Sequence, residues 1–159
     1  MEQVKVAIVD DHEAVRLGFA ESCRAEGLNL VASSPTVDDL IASLGSNDCD
    51  VVVMDLSLDD GSSVTDNVEK LIATGSAVLI FSIADKPVLM RAALRSGALA
   101  IVPKSQPMSH LAEAIKLAAE GAIINNPETS AMIDADSNFK EANLSARERE
   151  VLSLYASGL

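Results

Sequence analysis

The 159-residue chain is poor in cysteine and in aromatic residues. It contains two cysteines, Cys23 and Cys49, together with no tryptophan, one tyrosine and three phenylalanines. Two cysteines are too few for a disulfide framework or for a four-ligand zinc site. We therefore expect both to be buried thiols that pack as small apolar side chains.

The chain also has little positive charge and no long apolar run. It has 12 Lys and Arg against 24 Asp and Glu, for a net charge of −12. A surface of this sign repels nucleic-acid phosphates, so the chain as given is a poor candidate for holding DNA. No stretch approaches the ~18 apolar residues of a membrane span. The first residues also lack the basic segment followed by an apolar segment that forms a signal peptide. We therefore expect a cytoplasmic protein with no membrane association.

Short apolar runs alternate with segments of helical spacing. Five runs are predicted as strands: 4–9, 28–32, 51–54, 77–81 and 100–102. Five helices are predicted between and after them: 13–26, 36–44, 64–73, 86–96 and 107–120. Strands that are apolar nearly throughout are typical of a sheet covered by helices on both faces. The sequence thus predicts an α/β fold, a (βα)₅ doubly wound parallel sheet of five strands with right-handed crossovers.

The end of the chain has a different pattern. Residues 121–143 contain turn formers and no sustained period, which is typical of a linker. A capping box formed by Ser145 and Glu148 then predicts the start of a helix. The predicted organisation is one α/β domain over residues 1–120, a linker over 121–143 and a C-terminal helical fragment over 144–159.

Polar residues stand where the predicted strands end. Asp10 and Asp11 follow the first strand, Asp55 the third, Ser82 the fourth and Lys104 the fifth. With a strand order of 2-1-3-4-5, these positions meet at the carboxyl edge of the sheet, where open α/β folds bind ligands. We therefore expect three carboxylates, one hydroxyl and one ammonium to share that edge.

Crowded carboxylates repel one another unless a cation lies among them. Oxygen ligands of this kind suit Mg²⁺. A purely local alternative is that Asp11 caps the first helix and that Asp55 caps a turn before residues 59–61. The joint placement with Ser82 and Lys104 favours a functional site.

Other ligand and enzyme classes find no support in the sequence. The first strand is followed by Asp-Asp-His, without the glycine-rich loop whose backbone amides bind a nucleotide pyrophosphate. The two histidines, His12 and His110, form no Ser-His-Asp or Cys-His grouping. Dinucleotide binding and triad hydrolysis are therefore not expected.

Four motifs in order resemble the receiver domain of two-component response regulators over residues 4 to about 120. They are Val-Asp-Asp-His from Val9, Val-Val-Met-Asp-Leu-Ser-Leu-Asp-Asp-Gly around Asp55, Phe-Ser-Ile-Ala around Ser82 and Val-Pro-Lys ending at Lys104. The short loop after Asp55 and the segment Leu-Ser-Ala-Arg-Glu-Arg-Glu-Val-Leu at 144–152 resemble the NarL/LuxR-type subfamily. In that subfamily such a segment opens a C-terminal helix-turn-helix domain. The resemblance implies a flavodoxin-like receiver fold.

The same resemblance implies a role for each residue at the sheet edge. Asp55 would be the phosphoacceptor, Lys104 would neutralise one phosphoryl oxygen, and Ser82 would hydrogen-bond another. The implied ligands of Mg²⁺ are three carboxylates and one backbone carbonyl, those of Asp10, Asp11, Asp55 and Ser57. An acyl phosphate carries about two negative charges, which the neighbouring residues can sense as a switch.

The implied partners are those of the family. A sensor histidine kinase would donate the phosphoryl group, and the receiver would control an attached DNA-binding domain that regulates transcription. Such a protein is no enzyme in the ordinary sense, although it catalyses its own phosphorylation and dephosphorylation. Because residues 144–159 cover only the first helix of a helix-turn-helix, we expect a truncated chain that binds DNA only in its untruncated form. We also expect a homodimer, with Leu111, Ile115 and Leu117 as one candidate surface.

Two positions depart from the family pattern. Ile101 stands where the switch usually has an aromatic residue, and Asp59 stands where relatives often have proline. Two other functions stay open. One is a pseudo-receiver, an interaction module that switches without phosphate. The other is an aspartate-nucleophile phosphohydrolase, which needs a second carboxylate two residues after the nucleophile, where this chain has Ser57.

Overall fold

The computed structural model describes residues 3–58, 60–83 and 86–121. Strands and helices alternate through them without exception. The strands are β1 (Lys5–Val9), β2 (Asn29–Ser34), β3 (Val51–Met54), β4 (Ala77–Ser82) and β5 (Ala100–Pro103). The helices are α1 (Glu13–Glu26), α2 (Val37–Leu44), α3 (Val64–Ala73), α4 (Pro87–Ser96) and α5 (Met108–Ala119). The predicted elements are confirmed, and their ends differ from the prediction by no more than two residues.

The five strands form one parallel sheet in the order β2-β1-β3-β4-β5, as predicted. The residues of β3 are fully buried, because α1 packs with α5 while α3 packs with α2 and α4, and the two groups of helices cover the sheet. In the register of the central strands, Val9 pairs with Met54 and Met54 with Ile80. The strand ends are therefore level, and the residues that follow them meet at one edge.

Helix α5 contributes to the core more than the sequence suggests. Leu111 and Ile115 are 1% and 0% exposed, whereas Leu117 is 37% exposed. The expectation that all three form a dimer surface is therefore wrong for Leu111 and Ile115, because that side of α5 is occupied by the sheet and α1. Cys23 and Cys49 are free, buried thiols, as predicted, and burial raises the pKa of Cys23 to about 11.

Several predictions fall on other parts of the chain. Apart from Gly121, the predicted linker lies outside the described residues, as do Asp59 and the helix predicted from Ser145. Within the described ranges, none of the helices has both the length and the apolar character that crossing a bilayer requires.

Candidate functional site

Three of the polar residues that follow strand ends are in direct contact. The backbone N–H of Asp55 donates to the carbonyl of Val9 at 2.9 Å, which places the end of β3 against that of β1. Lys104 then reaches across from β5, with its Nζ 2.9 Å from Asp10 Oδ2 and 3.6 Å from Asp55 Oδ1. Both carboxyl groups are almost fully buried. One ammonium thus bridges two buried carboxylates that come from different strands.

Asp11 and His12 complete an acidic cluster. One ligand atom from each of Asp10, Asp11, His12 and Asp55 lies within 4.8 Å of all the others. The N-cap residue of helix α1 is His12, one position after Asp11, and the His12 side chain makes no capping hydrogen bond. Carboxylate oxygens at this spacing suit a small, hard divalent ion such as Mg²⁺. The donor set therefore fits the predicted metal.

Both oxygens of Asp10 are already engaged. His12 donates to Oδ1 through its backbone N–H at 2.9 Å, and its Nδ1 lies 2.8 Å from the same oxygen. The other oxygen accepts from Lys104. The hydrogen bond to Asp10 raises the pKa of His12, and the charges of Asp10 and Asp11 raise it further. An incoming metal ion therefore competes with the Lys104 ammonium and with the hydrogen bonds from His12 for this carboxylate.

Asp55 lies in an environment that disfavours its charged form. Burial is the main cause that raises its pKa above the ordinary value; Lys104 opposes this, and the negative charge of Asp10 adds to it. The balance leaves the pKa of Asp55 raised. Without an added cation, the ionised carboxylate at this position therefore destabilises the folded state.

This shift predicts how stability depends on pH. Because the folded pKa of Asp55 is raised, ionisation of this carboxyl group in the folded state costs folding free energy. That cost is absent below the unfolded pKa of about 4 and develops as pH rises through the folded pKa. In EDTA, Asp55→Asn should therefore raise the unfolding midpoint at pH 7, by about 2–4 °C per kcal/mol gained. Thermal unfolding followed by circular dichroism at pH 4 and pH 7 tests this. A midpoint that falls equally at both pH values would contradict it.

The remaining predicted residues lie at the same edge. Ser82 is buried at the end of β4, and its carbonyl accepts from the backbone N–H of Lys104 at 2.7 Å. Pro103, which pairs with Ser82, has no N–H, so Lys104 supplies the next donor along β5. The backbone N–H of Ser57 lies 3.5 Å from Asp55 Oδ1. Ile101 is fully buried and pairs with Ile80 in the sheet.

Two basic residues near this edge were not predicted from the sequence. A guanidinium nitrogen of Arg16 donates to the carbonyl of Asp10 at 2.6 Å. Its position four residues after the N-cap, in the first turns of α1, was a signal that could have pointed to it. Lys86, the N-cap of α4, donates from Nζ to Ser57 Oγ at 2.9 Å. No local pattern predicts that contact, because it joins two loops.

Comparison with known proteins identifies the family. Residues 6–116 match the family model described as the response regulator receiver domain. The transcriptional regulatory protein UhpA of Salmonella typhimurium is 29% identical over 157 residues, which cover 98% of this chain and 78% of UhpA. The response regulator protein VraR of Staphylococcus epidermidis is 29% identical over 163 residues, which cover 98% of this chain and 77% of VraR.

Solved structures agree with this assignment. The response regulator ChrA of a heme-sensing two-component system superposes with a TM-score of 0.72 at 27% identity, covering 100% of this chain and 78% of ChrA. The response regulator RcsB in complex with DNA gives a TM-score of 0.76 at 23% identity, covering 99% of this chain and 79% of RcsB, a likeness of fold. The chain belongs to the response regulator receiver domain family, and its relatives are regulators of the NarL/LuxR type.

Proposed function

We propose that Asp55 accepts a phosphoryl group from a sensor histidine kinase and that this modification switches a regulator of transcription. The observation that carries the proposal is the bridge formed by Lys104 between Asp10 and Asp55, at 2.9 and 3.6 Å. A nucleophilic carboxylate, a fixed ammonium and two further carboxylates are the parts that phosphoryl transfer to an aspartate requires.

The proposed step is an in-line displacement at phosphorus. One oxygen of the Asp55 carboxylate forms the new P–O bond, while the P–N bond of a phosphohistidine breaks and its electron pair leaves with the imidazole. With a small acyl phosphate, the P–O bond to the leaving carboxylate breaks instead. The product is an aspartyl phosphate, which carries about two negative charges in place of the single charge of the Asp55 carboxylate. Lys104 is placed to offset that charge.

The metal ligands in this proposal are the carboxylates of Asp10, Asp11 and Asp55 and the backbone carbonyl of Ser57. A bound Mg²⁺ supplies positive charge that offsets the carboxylates and the phosphoryl oxygens. The support from this chain is the cluster of ligand atoms within 4.8 Å together with the burial of Asp10 and Asp55. When the metal is absent, Asp10 accepts from the Lys104 ammonium and from the backbone N–H of His12.

The switch in this proposal acts through Ser82 and Lys104. The Ser82 hydroxyl would donate to one phosphoryl oxygen, and the Lys104 ammonium would pair with another. Ile101 is fully buried at the position where relatives usually have an aromatic residue.

The downstream part of the function rests on the relatives. UhpA is a transcriptional regulatory protein, and RcsB has been solved in complex with DNA. We propose the same arrangement here: a receiver domain over residues 1–120, a linker over 121–143 and the start of a helix-turn-helix domain over 144–159. Phosphorylation of the receiver would control a homodimer that binds DNA through that domain.

Acetyl phosphate with Mg²⁺, followed by intact-mass measurement, tests the proposal. We expect the mass of one phosphoryl group to be gained, and we expect no gain in EDTA. A folded chain that gains no mass with Mg²⁺ would instead support a module that switches without phosphate, for which Ile101 is the favouring observation. The phosphohydrolase alternative is disfavoured because the residue two positions after Asp55 is Ser57, whose hydroxyl accepts from Lys86.

The metal site predicts a loss of Mg²⁺ affinity in two variants. Asp10→Asn and Asp11→Ala each remove an anionic oxygen, so each should weaken binding by about 10- to 100-fold. The chain has no tryptophan, so isothermal titration calorimetry is the suitable measurement. Asp38→Asn is the matched control, because Asp38 pairs with Lys70 on another part of the surface. Wild-type affinity in both site variants would contradict the assignment.

A further inference from the structure

Lys86 places a second ammonium beside the loop that carries the acceptor. Its Nζ donates to Ser57 Oγ at 2.9 Å. Ser57 follows Asp55 by two residues, and its backbone N–H lies 3.5 Å from Asp55 Oδ1. These contacts place the ammonium within about one Debye length of the acceptor, on the order of 8–10 Å at physiological salt.

The two lysines at this edge have different surroundings. The Lys104 side chain is only 16% exposed, and its charge lies against two carboxylates. Lys86 is exposed, and its partner in the described part of the chain is a neutral hydroxyl. Its ammonium is therefore a solvent-accessible positive charge next to the loop that carries Asp55.

The negative charge of the protein repels an approaching anionic phosphodonor. The chain carries a net charge of −12, and Asp10, Asp11 and Asp55 converge at the point where the donor must react. A small acyl phosphate is itself a dianion, so its encounter with this edge is opposed by repulsion. An exposed cation beside the acceptor loop reduces that repulsion and raises the rate of encounter.

We propose that the positive charge of Lys86 attracts small anionic phosphodonors to the site. The hydrogen bond to Ser57 holds that charge beside the loop that carries Asp55. The proposal rests on the proposed function of Asp55 as the phosphoacceptor. It concerns the approach of the donor and assigns Lys86 no part in breaking or forming a bond.

The test is the second-order rate constant of labelling by acetyl phosphate with Mg²⁺, followed by intact mass at low and high salt. Lys86→Ala should lower this constant about three- to tenfold at low salt, and Lys86→Glu should lower it further. Lys86→Arg keeps the charge and should stay within about twofold of wild type. The deficit of Lys86→Ala should shrink to less than about twofold near 0.5 M NaCl, because salt screens an exposed charge.

Lys70→Ala is the matched control. Lys70 is a half-exposed lysine on α3 that pairs with Asp38 at 3.1 Å, so this variant makes the same change in net charge away from the site. It should label at a rate close to wild type. Equal rates for Lys86→Ala and Lys70→Ala would overturn the inference, as would a deficit that salt does not change. A wild-type chain that takes no phosphoryl group would overturn the proposed function as well, so the two failures are distinguishable.

Discussion

Asp55→Asn is expected to abolish phosphoryl transfer while the chain stays folded. The amide preserves the shape and volume of the side chain but has no anionic oxygen to attack phosphorus. The loss should be at least about a thousandfold, which places labelling below detection in a standard time course. Intact mass after incubation with acetyl phosphate and Mg²⁺ is the direct measurement, and circular dichroism of the same sample checks the fold.

A neighbouring aspartate provides the control for this experiment. Asp60 is exposed and hydrogen-bonds to Ser62 within the loop that follows Asp55. Asp60→Asn makes the same chemical change five residues away and should label as wild type does. Equal labelling of Asp55→Asn and wild type would show that another group accepts the phosphate and would remove the basis of the assignment.

Lys104→Ala is expected to separate metal binding from phosphoryl transfer. In the structure Lys104 donates to Asp10, a proposed metal ligand, at 2.9 Å. Removing the ammonium removes a competing cation, so Mg²⁺ affinity should stay the same or increase. Phosphoryl transfer should fall by about 100-fold or more, because the charge on the transferred group loses a fixed, buried partner. Calorimetry and intact mass measure the two effects on the same preparation.

The same variant should become more dependent on metal for its stability. Without Lys104, two buried carboxylates lose their ammonium, so the unfolding midpoint in EDTA should fall and added Mg²⁺ should recover it. Weak Mg²⁺ binding by the Lys104→Ala variant would contradict the role given to this lysine. Such a result would mean that Lys104 holds the metal site together and does not compete with the metal ion.

The sequence predicts the fold well because its pattern is simple. A run such as Val51–Met54 is apolar at every position, which distinguishes a strand covered on both faces from an amphipathic one. Once the strand order is inferred, the convergence of Asp10, Asp55 and Lys104 follows, because the carboxyl ends of parallel strands share an edge. This part of the site needs no knowledge of side-chain conformation.

Other features depend on details that the pattern does not contain. Nδ1 of His12 lies 2.8 Å from Asp10 Oδ1 and 3.1 Å from Asp11 Oδ1. Helical periodicity does not report the direction of the side chain of a residue that precedes the helix. The contact of Lys86 with Ser57 depends on the paths of two loops. For α5 the periodicity shows an apolar stripe at Leu111 and Ile115, but it does not show that the sheet and α1 fill the space beside it.

The hydrogen bond from the Lys104 backbone to the Ser82 carbonyl has a mechanical consequence. It extends the ladder between β4 and β5 one donor beyond Pro103, up to the edge of the sheet. Proline fixes its own φ angle, which removes one of the backbone rotations just before Lys104. We therefore expect a displacement of the Ser82 backbone to move the Lys104 peptide with it, because the 2.7 Å hydrogen bond joins the two. The start of α4 follows Ser82 by five residues and that of α5 follows Lys104 by four, so such a movement would reach the beginnings of both helices.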